Sequence, residues 1–79
     1  MSICGNVTMN EKDILLKIGR NICAERNRAG YSQEGLAEQI GMNEKHIGRI
    51  ERGLTNPKIT TIIAIMDALN LPFDALYKK

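Results

Sequence analysis

Seventy-nine residues, 43% apolar and 25% charged, suit one compact globular core, because a chain this short buries only about 60% of the surface it exposes when unfolded. The formal net charge of +2 is too small to identify a partner until its distribution along the chain is known. The length leaves no room for a separate catalytic domain, and two isolated cysteines with one histidine supply neither a disulfide framework nor metal-ligand spacing.

Residues 1–9 (MSICGNVTM) show no periodicity and are expected to form a flexible arm, with residues 10–79 as the single domain. A helical pattern starts at Asn10, a good cap. Glu11 and Asp13 suit the positive end of the helix dipole, and Ile14, Leu15, Ile18 and Ile22 recur at helical spacing until Ala29-Gly30. Cys23 lies on this helix and reads as a small core or boundary residue, whereas Cys4 falls in the arm.

Ser32 caps a short second helix from Gln33 to about Ile40, with Leu36, Ala37 and Ile40 inward and Gly41 as terminator. Gly35 is unexpected there, since a capping box would place Glu at that position. Only Gly41 and Met42 separate this helix from the next cap, Asn43. The third helix, from about Asn43 to Arg52, turns Ile47 and Ile50 inward and ends at Gly53.

Asn56-Pro57 disfavours helix in the following loop. A fourth helix runs from Thr60 or Thr61 to about Leu69, with Ile62, Ile63, Ile65, Met66 and Leu69 inward. Pro72 opens a short fifth, FDALY. No strand-like alternation appears. The expected fold is all-α, with five helices.

The charge is not evenly spread. Its whole excess lies in residues 44–58, where Lys45, Arg49, Arg52 and Lys58 face Glu44 and Glu51. Two short helices joined by a tight turn share one core, which needs a small residue such as Ala37 at their approach and a plug such as Met42 at the elbow. This arrangement leaves Glu44, Lys45, Gly48, Arg49 and Arg52 on the outer face of the third helix.

The segment SQEGLAEQIGMNEKHIGRIERGLTNPKITTIIAIMDALNLPFDAL resembles the Cro and phage-repressor type of helix-turn-helix family, also called the XRE family. The most specific elements are Ser32-Gln33, Leu36-Ala37, Gly41, Ile47, Ile50-Glu51-Arg52-Gly53 and Asn56-Pro57. The match extends upstream to Ile18-Gly19, Ile22 and Arg26, so it covers roughly residues 14–76. The resemblance implies a lambda-repressor-like fold and a DNA-binding regulator whose third helix lies in the major groove, with its first residues at base edges.

By position, the resemblance places Asn43, Glu44, Lys45 and Arg49 at bases. Lys45 and Arg49 suit guanine O6 and N7, and Glu44 suits cytosine N4. Asn43 also has a separate role as the N-cap. Gln33 at the start of the second helix, and Arg52, Thr55, Asn56 and Lys58 after the third, are expected at phosphates. In the family's pattern the first-helix arginine pairs with the glutamate of the ERG stretch, so Arg26 and Glu51 are expected to form a structural ion pair. His46 receives no role.

One short helix makes few base contacts, so a homodimer on a two-fold operator is expected, with Leu71, Phe73, Leu76 and Tyr77 as interface candidates. Among members of this size the resemblance suits restriction–modification controller proteins and compact phage-type repressors, which the residues do not separate. The alternative is a protein-interaction module such as the antitoxin of a toxin–antitoxin pair. The chain carries no nucleophile–histidine–acid set, no Gly-rich phosphate loop and no catalytic carboxylate pair, so neither an enzyme nor a cofactor is expected. The longest apolar runs, at 62–66 and 14–16, are far short of a membrane span, no signal-peptide pattern opens the chain, and a reduced cytoplasmic setting is expected.

Overall fold

The computed structural model describes residues 10–72. Four helices occupy this stretch: α1 Glu11–Ala29, α2 Gln33–Ile40, α3 Glu44–Glu51 and α4 Ile59–Leu69. Among the described residues there is no strand. The all-α architecture stands, with four helices where five are expected. The segment FDALY assigned to the fifth lies outside the described residues, as does the 1–9 arm with Cys4.

Each of the first three helices starts where a side chain can take an otherwise unpaired backbone N–H. Asn10 accepts from Asp13 N at 2.8 Å, Ser32 from Gly35 N at 2.9 Å, and Asn43 from Lys45 N at 2.8 Å. Helix α4 starts without a side-chain cap at Lys58 and begins at Ile59, slightly earlier than its threonines suggest.

The ends of α2 and α3 use a left-handed residue. Gly41 has φ 73° and Gly53 has φ 72°, a region that costs glycine least. After Gly41, the Met42 N–H returns to the Ala37 carbonyl at 2.8 Å. That closure lets only three residues lead from α2 into α3.

All four helices contribute to one core. Ile22 of α1, Leu36 and Ala37 of α2, and Ile47 and Ile50 of α3 are buried together with Ile62, Ile65, Met66 and Leu69 of α4. Ile18, Tyr31, Ile40, Met42, Ala68 and Leu71 pack against it, half buried. Each fully buried isoleucine or leucine contributes about 1.5–3 kcal/mol of transfer free energy, so this cluster fixes how the short helices sit. On α1 the buried positions are Gly19, Ile22 and Arg26. Ile14 and Leu15, expected inward, are only half buried.

Ile63 departs from expectation. It is 45% exposed, and Ile59, one helical turn earlier, is 58% exposed. The segment ITTIIAIMDAL is apolar over most of its circumference, so its pattern does not single out one inward stripe. Packing against the other helices selects Ile62, Ile65, Met66 and Leu69 and turns Ile63 to the surface.

The α1–α3 contact depends on Gly19. A Cβ built there would collide with the main-chain carbonyl oxygens of Ile50 and Glu51. Helix α1 therefore lies directly against the C-terminal end of α3.

Candidate nucleic-acid interface

The third helix is held from three sides. Ile47 and Ile50 anchor it to the core, Gly19 admits α1 against its backbone, and Glu51 closes its last turn onto α1. Arg26 and Glu51 are 8% and 7% exposed. The guanidinium meets the carboxylate twice, Nε to Oε2 at 2.6 Å and Nη2 to Oε1 at 3.1 Å. Arg26 also donates from Nη1 to the Tyr31 carbonyl at 2.8 Å. One guanidinium thus joins the end of α1, the segment that starts α2, and the end of α3.

The same carboxylate has a partner that the sequence does not reveal. Gln33 Nε2 donates to Glu51 Oε1 at 3.0 Å. Burial pushes the Glu51 carboxyl up, but the hydrogen bonds from Arg26 and Gln33 and the charge of Arg26 outweigh it, and the group ionises below its usual range. On the other side, the bond to Glu51 outweighs burial and raises the Arg26 pKa. Both groups are therefore charged at neutral pH. Among the described residues no buried side-chain polar atom lacks a partner.

Pairing Glu51 with Arg26 changes the charge that α3 presents outward. Of the acids in residues 44–58, Glu51 is buried and already balanced, which leaves exposed Glu44 against exposed Lys45, Arg49, Arg52 and Lys58. A surface concavity of about 390 Å³ gathers Gln33, Glu44, Lys45, Gly48, Arg49 and Arg52. The start of α2 and the outer face of α3 thus form one surface, and every side chain in it except Glu44 carries a donor.

The other candidates lie around this surface. Asn43 is exposed, with its side-chain oxygen committed to the Lys45 N–H. Thr55 is half buried and Lys58 exposed. Asn56 is exposed but its amide donates to Glu11 Oε2 at 3.1 Å, tying the loop after α3 to the first turn of α1. His46 is half buried and lies outside the concavity. Of the interface candidates, Leu71 packs half buried against the core, whereas Phe73, Leu76 and Tyr77 lie outside the described residues.

Cys23 is free and half buried, receiving long contacts from Arg26 Nη2 and Asn27 Nδ2, each at 3.7 Å. Among the described residues no group of three or more His, Cys, Asp or Glu side chains gathers as a metal site would require. No helix among them is long and apolar enough to cross a membrane.

Comparison with known proteins bears on this geometry. The sequence matches the helix-turn-helix family over residues 24–76. It is 41% identical over 58 residues to the uncharacterized HTH-type transcriptional regulator YazB of Bacillus subtilis (strain 168), covering 73% of this chain and 84% of that protein. The structure superposes with a TM-score of 0.77 on the restriction–modification controller protein C.AhdI from Aeromonas hydrophila, at 32% identity, covering 80% of this chain and 96% of the other. It also resembles the controller protein C.Esp1396I, solved as a tetramer in complex with its natural 35 base-pair operator, with a TM-score of 0.73, 28% identity, and coverage of 81% and 84%. With α2, the Gly41 turn and α3 in place and the match spanning most of its length, the chain belongs to the helix-turn-helix family.

Proposed function

We propose that this protein is a sequence-specific DNA-binding transcriptional regulator that lays the outer face of α3 in the major groove. The observation that carries the reading is the exposed face itself: Lys45, Arg49 and Arg52 against Glu44 alone, on a helix locked to the core by Ile47, Ile50 and Glu51. A basic, rigid and exposed helix following a tight turn is suited to groove binding. The operator complex of C.Esp1396I, a relative with the same fold, supports it.

In this reading Lys45 and Arg49 reach guanine acceptors, Glu44 and Asn43 lie at the leading edge of the helix, and Gln33, Arg52, Thr55, Asn56 and Lys58 meet phosphates. Gln33 uses one amide hydrogen on Glu51 and keeps the other for a phosphate oxygen. Asn56 divides its amide in the same way, with Glu11 as the first partner.

The same reading includes a homodimer on a two-fold site in a reduced cytoplasmic setting. Exposed Ile59 and Ile63 on α4 add an apolar surface to the candidates Leu71, Phe73, Leu76 and Tyr77. The test is selection of bound sites from random duplex DNA at near-physiological salt. A specific regulator returns two related half-sites about 34 Å apart, one helical turn. Recovery of no preferred sequence would contradict the reading and favour a protein-interaction module.

A further inference from the structure

Gly48 lies on the outward face of α3, between Lys45 and Arg49 on one side and Arg52 one turn on, yet it is buried. Its neighbours explain this. A Cβ at Gly48 would stand 3.2 Å from Arg52 Nη1, 3.5 Å from Gln33 Oε1 and 3.7 Å from Gln33 Nε2. The bare backbone of one helical turn is thus covered by a guanidinium from the end of α3 and an amide from the start of α2. These three atoms are all far ends of side chains.

We propose that Gly48 is a positioning residue of the DNA-binding face: its missing side chain seats the Arg52 guanidinium beside the Gln33 amide, both lining the concavity. The proposal rests on the α3 reading above and extends it to a residue that has no side chain to offer DNA. Gln33 is already fixed from below by Glu51, so it gives little. Arg52 is exposed, and its guanidinium is the group nearest to a Cβ at position 48. A methyl group at position 48 is closer to Arg52 than ordinary van der Waals packing allows, and Arg52 is the group that moves.

The proposal separates stability from binding. Glycine inside a helix is less favourable than alanine, and the three atoms nearest the added methyl are movable side-chain ends. Gly48→Ala therefore keeps or raises the melting temperature while it weakens DNA binding. The probe is a duplex recovered by the wild-type protein from random DNA, titrated at several salt concentrations.

Gly48→Ala is expected to bind it on the order of tenfold more weakly, with a salt slope shallower by about one. Added to Arg52→Ala, it should cost nothing further, because both variants remove the same contact. Wild-type affinity and slope in Gly48→Ala would overturn the inference, as would a lowered melting temperature. A further loss in the Arg52→Ala background would also overturn it, since the methyl would then be clashing with DNA directly. Failure of the wild-type protein to bind any duplex would instead sink the reading of α3 on which the inference rests.

Discussion

Glu51 shows how much one buried carboxylate can organise. It accepts from Arg26 twice and from Gln33 once, so its loss strands a buried guanidinium and frees the Gln33 side chain that lines the concavity. Glu51→Ala is expected to destabilise the fold by about 3–5 kcal/mol, the usual range for breaking a buried pair from one side, and a lowered thermal midpoint would check it. The pH dependence has a definite sign. The folded-state pKa of Glu51 lies below the usual carboxylate range, so its contribution to stability is present above the unfolded pKa and is lost as pH falls through the folded pKa. Acid titration of the wild-type protein should show this loss, and Glu51→Gln should lack that component.

Part of this was legible from residue types and part was not. The family pattern pairs Arg26 with Glu51, while their covalent neighbours give no hint of the pairing across 25 positions. The Gln33–Glu51 and Asn56–Glu11 bonds span 18 and 45 positions. No periodicity encodes them, because they exist only once three helices have met. Gly48 reads in sequence as an outward gap, and only the folded positions of Arg52 and Gln33 show that the gap is filled.

At the scale of elements, the local signals were the readable ones. Asn10, Ser32 and Asn43 each act on a backbone N–H two or three residues away, so a short stretch of sequence contains both partners. Gly41 and Gly53 likewise mark left-handed ends that depend on little beyond their own turn. Helix α4 is harder to read, since nearly every side of it is apolar and Ile63 can be assigned outward only once α1 and α2 cover its other faces.

Gly19 is the element-scale counterpart of Gly48, with the opposite consequence. Its missing Cβ admits rigid main chain of α3 rather than side-chain ends. Gly19→Ala should therefore destabilise the protein by about 1–3 kcal/mol through overpacking, despite the better helix propensity of alanine. A denaturant midpoint at or above wild type would refute the close α1–α3 approach.

For the whole molecule, a modest net charge conceals a directed surface. Once Arg26 and Glu51 neutralise each other in the interior, the exposed excess of Lys45, Arg49, Arg52 and Lys58 over Glu44 lies along α3 and the loop after it. Binding should weaken steeply with salt, by a slope of about −0.9 for each phosphate neutralised. The exposed Ile59 and Ile63 belong to the same scale, since a single α3 provides few base contacts. On the proposed homodimer, Ile63→Glu should shift sedimentation toward monomer and weaken operator binding while leaving helix content unchanged; an unaltered dimer would contradict a role for α4 in the proposed interface.

Whether the outer face of α3 reads sequence can be decided at Arg49. Arg49 is exposed, lines the concavity and has no place in the core, so its removal leaves the fold intact. Site selection from random duplex DNA with the wild-type protein and with Arg49→Ala should show one base position per half-site relaxing, with specific affinity reduced by about 1–3 kcal/mol. Recovery of the same sites at the same affinity would contradict sequence reading by this face.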